Sequence, residues 1–240
     1  ITASHNPSQY NGFKICREDA IPLSYETGIG EIERLCGGAP LSGAGAAGRV
    51  SRRDAMGEYL EHVLRFAGEV RPMTVAVDAG NAIAGYVIPK LLAALPQVKV
   101  VPLYFELDGS FPNHEPNPLK EENMRDLQKK VKETGADFGV AFDGDADRAA
   151  FVDDRGELIA ADLLTALLAP VFLKREKGGT VIYDVRSSRV VREEVERAGG
   201  RAIMSRVGHS YMKTLLRREK GVFGGELAGH FYFRDNAYAD

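Results

Sequence analysis

The 240-residue chain has no tryptophan, only two cysteines, no surplus of charge of either sign and no long uninterrupted apolar run. Each of these absences closes off a class of function. Lys and Arg number 31 against 34 Asp and Glu, giving a net charge of −3. No global basic field is therefore available to hold nucleic acid or an anionic membrane surface, and any partner is recognised locally. The apolar run Leu163 to Leu173 is interrupted by Thr165 and Pro170 and falls well short of the roughly 20 residues that a spanning helix needs. Cys16 and Cys36 form neither a CxxC pair nor a dense framework, which fits a soluble, reduced, cytoplasmic chain better than a disulfide-stapled one. No basic segment followed by an apolar one marks a targeting signal, and residue 1 is Ile within a functional-looking segment, so the natural N-terminus is expected further upstream.

What is present is a hydrophobic content of 44%, enough for one large domain or two to three small ones. A Gly- and Ala-rich stretch, Gly37 to Gly48, has no periodicity and reads as a mobile loop between an N-terminal piece and a regular α/β region. From Asp54 to Ala67 apolar residues recur at helical spacing, and the run Thr74 to Asp78 after Pro72 reads as a strand. Beyond it the pattern predicts a helix over Ala84 to Leu95, a strand over Val98 to Leu103, a helix over Glu121 to Thr134 and a strand over Phe138 to Phe142. A similar order recurs: strand Thr180 to Tyr183, helix Ser188 to Ala198, strand Arg201 to Met204, helix Tyr211 to Lys220 and strand Val222 to Gly224. Both copies open on a Thr-Val strand that ends on an aspartate, Asp78 or Asp184, and both close on a strand entering an acidic, Gly-containing loop. In open α/β sheets, binding loops gather at the carboxyl ends of strands, where Asp143 to Arg148 and Gly225 to His230 fall.

Three motifs carry chemistry. In Asp143-Gly-Asp-Ala-Asp-Arg148 three carboxylates at alternate positions repel one another, and such a cluster is tolerated when a hard divalent cation takes their oxygens. Mg²⁺ is the preferred ion, because it is commonly held by a few carboxylates while phosphate completes its shell, and Arg148 is placed to hold a phosphate oxygen. An exposed acidic turn is the plain alternative. A calcium loop is another, since Asp143, Asp145, Asp147 and Asp154 occupy EF-hand positions; Arg148 at the position that needs glycine and strand-like flanks oppose it.

The second motif, Thr2-Ala-Ser-His-Asn-Pro7 followed by Asn11-Gly-Phe-Lys14, puts a hydroxyl on a tight turn beside an imidazole and near an ammonium. A serine before Asn-Pro is also an ordinary turn residue. In the third, Gly224-Gly-Glu-Leu-Ala-Gly-His230, one carboxylate suits sugar hydroxyls and one imidazole suits proton transfer near neutral pH, with a surface turn as the alternative. His209, in Val207-Gly-His-Ser210, reads more readily as a helix-start or packing residue than as a catalyst, and Asp184-Val-Arg186 adds a guanidinium at another strand end, with an exposed salt bridge as the alternative.

Taken together and in this order, the three motifs resemble the α-D-phosphohexomutase superfamily. Asp78-Ala-Gly-Asn81, Phe111-Pro-Asn-His114 and Val207-Gly-His-Ser210 add to the resemblance and point to its bacterial phosphomannomutase/phosphoglucomutase branch. The resemblance implies consecutive α/β domains with mixed sheets flanked by helices, truncated at both ends: the tail of a first domain over 1–53, a second over 54–153 and a third over 154–240. It implies that Ser4 is the phosphoserine and that Asp143, Asp145 and Asp147 bind Mg²⁺ together with a Ser4 phosphoryl oxygen. Arg148 would contact the phosphate, with His5, Lys14, His209 and His230 around the phosphoryl group and sugar, and Lys14 and His230 the better proton carriers. Arg186, Glu226, Ala228 and His230 would line the sugar. Ala228 stands where much of the family has serine, and Arg186 where related enzymes often have lysine, so Arg186 cannot carry a proton.

The implied activity is an isomerase-type phosphotransfer between hexose 1- and 6-phosphates of mannose or glucose. It passes through a hexose 1,6-bisphosphate and involves no nucleic-acid or membrane partner. Phosphoglucosamine mutase is the alternative within the superfamily; a non-catalytic Ca²⁺ or phospho-sugar binding module is the alternative outside it. Because the family places further domain structure before Ser4 and after the sugar loop, these 240 residues by themselves are expected to turn over poorly. The preferred sugar and the oligomeric state are not written in the sequence.

Overall fold

A computed structural model describes residues 1–38 and 48–240. Most of the expected Gly37 to Gly48 loop, residues 39–47, lies outside the described residues. Helix α1 (Gly30–Cys36) ends the N-terminal piece, and α2 (Met56–Leu64) occupies the middle of the expected linker helix. No described helix is long and apolar enough to cross a membrane.

The remaining residues build two sheets. The first contains β1 (Met73–Asp78), β2 (Val98–Leu103), β3 (Phe138–Phe142), β4 (Ala149–Val152) and β5 (Leu158–Ile159), in spatial order β2-β1-β3-β4-β5. Strands β1, β2 and β3 run parallel and β4 returns antiparallel to β3. The crossovers are α3 (Ala84–Leu92) and α4 (Glu121–Thr134). The second sheet contains β6 (Thr180–Asp184), β7 (Arg201–Ser205), β8 (Phe223–Gly225) and β9 (Phe231–Phe233), ordered β7-β6-β8-β9, with α6 (Arg189–Arg197) and α7 (His209–Arg218) as crossovers. Here too three strands are parallel and the last is antiparallel. The expected repeat is thus visible in topology: both sheets run second, first, third, fourth.

Side-chain alternation along each first strand divides the core into two layers. Ala76 packs with Met124, Leu127 and Val131 of α4, whereas Val75 and Val77 join Val140 and Ile88 of α3 on the opposite face. In the second sheet Val181 and Tyr183 face Val191 and Val195 of α6, and Ile182 faces Met212 and Leu216 of α7.

The apolar run over Leu163 to Leu173 belongs to α5 (Ala161–Arg175), a helix the periodicity did not resolve. Its burial explains why. Thr165, Ala166, Ala169 and Leu173 are buried while Leu163, Leu167 and Val171 are exposed, so apolar residues surround the axis and leave no polar stripe. Helix α3 stops at Leu92, short of the expected Leu95. Helix α7 begins at His209 rather than Tyr211, directly after Gly208, whose φ of 123° lies outside the helical region.

Leu127 is fully buried where α4 meets the first sheet. Leu127→Ala is expected to destabilise the chain by about 2–5 kcal/mol through lost transfer energy and a residual cavity. A lower urea midpoint at unchanged slope measures this.

Candidate functional site

The loop between β3 and β4 and the loop between β8 and β9 are tied to each other. Ala149 N–H donates to the Gly229 carbonyl at 3.0 Å, and Arg148 Nε donates to His230 Nε2 at 3.1 Å. The N-terminal piece closes the third side. Ser4 Oγ donates to Asp143 Oδ2 at 3.0 Å and also lies 3.2 Å from His5 Nδ1. Lys14 Nζ donates to Asp145 Oδ2 at 2.6 Å and also to Asp147 Oδ2.

Ser4 sits in a strained turn. Its φ of 54° is left-handed, unusual for a residue with a Cβ, and is held by Ser4 N–H donating to Thr2 Oγ1 at 2.8 Å and Asn6 N–H donating to the Ala3 carbonyl at 3.0 Å. Beneath it the acidic loop must be glycine at 144: a Cβ there would stand 2.1 Å from the Ser4 carbonyl oxygen. The close approach that presents Ser4 to the carboxylates depends on that missing atom.

The three acids differ in environment. Asp143 is wholly buried; desolvation, followed by the fields of Asp147 and Asp145, pushes its carboxyl up to about 6 despite Arg148 at 3.6 Å. Desolvation is also the largest single influence on Asp145, but the hydrogen bond and charge of Lys14, with Thr2 and Ser4, together outweigh it and hold the carboxyl below its ordinary value. The same pairing overcomes burial to raise Lys14, so its ammonium stays charged. Asp143, Asp145 and Asp147 each bring one carboxylate oxygen within 4.8 Å of the others, and the buried Oδ1 atoms of Asp145 and Asp147 lack a hydrogen-bond partner. Oxygen-only donors, excess negative charge and orphaned lone pairs fit a hard divalent cation. The flanks are the antiparallel strands β3 and β4 rather than two helices, which removes the EF-hand alternative.

Around this centre, His5 is lowered, by burial first and by Arg148 next. Because Arg148 donates to Nε2 of His230, the ring proton of the neutral imidazole belongs on Nδ1, which lies 2.8 Å from Asp240 Oδ2. Asp240, which sequence reasoning did not single out, is also held by Lys213 at 2.6 Å. No motif spacing marks it, because it comes after the loop through a turn of irregular structure. His209 opens α7 with part of its surface exposed, and its imidazole is lowered, by desolvation of the ring first and by Lys213 next, against the opposing pull of Asp240.

The residues around the loop between β8 and β9 form an adjoining group. Glu226 is only 2% exposed; Oε1 accepts from Tyr232 and Oε2 accepts from Gly208 N–H at 3.2 Å, with Arg186 Nη2 3.7 Å away. Buried Asp184 anchors Arg186 at 2.7 Å and accepts from Leu227 N–H at 3.0 Å. The Arg186 side chain remains 41% exposed, and Ala228 lies at the partly exposed tip of the loop. Tyr232, a fully buried residue of β9, is likewise not singled out by the sequence.

Fold and site define a tandem α/β/α protein in which three chain segments meet at one cluster of acids and bases. Comparison with known proteins makes this particular. The description "Phosphoglucomutase/phosphomannomutase, alpha/beta/alpha domain" matches as domain I over residues 1–37, domain II over 57–156 and domain III over 160–240. Curated relatives include "Phosphohexose mutases" of Xanthomonas campestris, 42% identical over the whole chain and 54% of the relative. A phosphomannomutase of Vibrio cholerae is 37% identical, again over the whole chain and over 53% of the relative. The crystal structure of a phosphoglucomutase/phosphomannomutase family protein from Burkholderia thailandensis superposes with a TM-score of 0.88 at 37% identity, covering 99% of this chain and 51% of that one. The chain belongs to the α-D-phosphohexomutase superfamily. It spans about half the length of the curated relatives it matches.

Two outcomes test the geometry. Gly144→Ala is expected to lift the Ser4 turn from the acidic loop, so that amide exchange of Asn6 accelerates while β3 stays protected. The raised Asp143 carboxyl binds its proton more tightly in the folded chain than in the unfolded one, so its ionisation opposes folding above about pH 6 and this opposition fades as pH falls toward about 4. With divalent cations chelated, Asp143→Asn is therefore expected to stabilise the chain at neutral pH, on the order of 2–3 kcal/mol, with the gain vanishing in acid. Thermal unfolding across pH reads this directly.

Proposed function

We propose that the chain carries the catalytic centre of a phosphomannomutase/phosphoglucomutase that moves a phosphoryl group between the 1- and 6-positions of a hexose phosphate through phosphorylated Ser4. The observation that carries this reading is the Ser4 Oγ hydrogen bond to Asp143, 139 residues away, inside a three-carboxylate cluster. A buried cation-seeking cluster has little reason to receive a serine on a strained turn unless that hydroxyl bears a group the cation also holds. The working units are residues 1–53, 54–153 and 154–240, each contributing one wall of the cleft. Both cysteines are free thiols, which suits a reducing cytoplasm.

Asp143, Asp145 and Asp147, with a Ser4 phosphoryl oxygen, would hold Mg²⁺. When bound, the ion neutralises the acids and the phosphoryl charge of about −1.5 to −2. The rest falls to side chains. As a sugar hydroxyl oxygen forms its bond to phosphorus, the bond from phosphorus to Ser4 Oγ breaks, and the hydroxyl proton passes to a base. His230 is the better candidate: its Nε2 lone pair, now receiving Arg148, becomes available when that guanidinium turns to the phosphate. Lys14, kept as an ammonium, is the second proton carrier, and His5 and His209 flank the transferred group. Glu226 and Arg186, with the loop at Ala228, orient the sugar. Reversal with the hexose 1,6-bisphosphate turned end for end returns the other phosphate to Ser4. Positioning and charge stabilisation supply most of the rate.

Incubation with glucose 1,6-bisphosphate and Mg²⁺ is expected to add the mass of one phosphoryl group to the intact chain. Ser4→Ala should abolish the adduct, and chelation of the metal should suppress it. An adduct that persists in Ser4→Ala would sink the assignment.

A further inference from the structure

The Phe111-Pro-Asn-His114 segment and the Asp78-Ala-Gly-Asn81 turn take no part in the chemistry above, yet the structure joins them. His114 Nε2 lies 3.0 Å from Asp78 Oδ2, and Nδ1 lies 2.8 Å from the Glu115 carbonyl oxygen. A carbonyl only accepts, and so does an ionised carboxylate, so both ring nitrogens donate and the ring is an imidazolium. Asp78 has no exposed surface, and its other oxygen accepts from Gly80 N–H at 2.9 Å, which leaves His114 as the positive partner of a buried charge. The ionisable groups that bear on the ring are acidic: Asp78 from the end of β1 and Asp126 from α4, the latter bonded to the Tyr104 hydroxyl. Tyr104 itself stands edge-on to the ring at 5.3 Å. Burial pulls the imidazole down, and Asp78 outweighs it.

The two residues after His114 reach the cleft. Pro116 is wedged between two glycines: a Cβ on Gly80 would stand 3.2 Å from Pro116 Cβ, and one on Gly144 would stand 3.6 Å from Pro116 Cγ. Gly144 is the residue on which the Ser4 turn rests. Between His114 and Pro116, the carboxylate of Glu115 acts on His5.

We propose that His114 is a positioning residue: as an imidazolium bonded to Asp78, it clamps residues 114–116 against Gly144 and so fixes the acidic loop beneath Ser4. The role rests on the reading of Asp143, Asp145 and Asp147 as a divalent-cation site. It differs from simple fold stabilisation because the clamp sets the spacing of the three carboxylates, and residues that orient a ligand set typically change affinity by about 10- to 100-fold when lost.

The test has two arms. In the parent chain, long-range ¹H–¹⁵N NMR at about pH 7.5, where an ordinary histidine is neutral, is expected to find protons on both nitrogens of His114. A ring with one lone-pair nitrogen overturns the proposal, and this arm decides even if a variant fails to fold. Mn²⁺ titration followed by electron paramagnetic resonance, with thermal unfolding alongside, compares the parent with H114Q, D78N and D143N. Folded H114Q and D78N are expected to bind Mn²⁺ at least about tenfold more weakly. If they bind as the parent does and merely melt earlier, while D143N loses the ion, the clamp falls and the metal site stands. If the parent binds no Mn²⁺, or D143N binds it equally well, the cation reading fails and the clamp's role falls with it.

Discussion

Three carboxylates at the end of one strand cannot be gathered in a largely dry place without positive charge, and the arrangement of this molecule answers to that constraint. Asp143 is fully buried, and its neighbours Asp145 and Asp147 carry oxygens with no partner. Lys14 comes from the N-terminal piece to bridge two of them, while Arg148 turns back on the third. The electrostatic cost of the cluster is offset by one cation of its own loop and one from the N-terminal piece, so the cluster recruits a distant segment to itself.

The repeated topology makes that recruitment possible. Each sheet ends its parallel run on a strand that doubles back antiparallel, and each of those turns projects a loop from the same edge. In each sheet, too, the aspartate ending the first strand is buried and spends its carboxylate on the adjacent turn. Asp78 accepts from Gly80 and His114; Asp184 accepts from Arg186 and Leu227. One carboxylate braces the acidic loop through Pro116, the other braces the sugar loop directly. The second loop has meanwhile taken on different chemistry, with one buried acid and one imidazole in place of three acids.

Much of this was legible in the residues. The alternating apolar strands and the helices between them appear within three residues at their ends, because two-residue and 3.6-residue periods survive wherever an element has one wet face. Helix α5 escaped because it has apolar residues all round, and β9 because three residues are too few for a period. Motif chemistry located Ser4, Lys14, the three acids and His230, all of which the fold brings together. Spacing could not reveal Asp240 or Tyr232. Each acts across a tight turn, Asp240 on His230 and Tyr232 on Glu226, and only the folded turn creates those contacts. Glu226 reads in the sequence as an open loop acid, whereas its carboxylate is sealed by a hydroxyl and a backbone amide.

The bond from Ser4 to Asp143 closes a loop of 139 residues, and that from Arg148 to His230 one of 82. Contacts so distant in sequence are entropically the last to form. During synthesis the serine turn therefore precedes its acidic partner and waits for it until β3 has been made and paired. His230, which receives Arg148, arrives only after β8. Assembly of the site is in this sense a report on completed folding: the serine turn has its own local bonds, but until both sheets have formed the carboxylates and the imidazole of the two loops are not gathered around it.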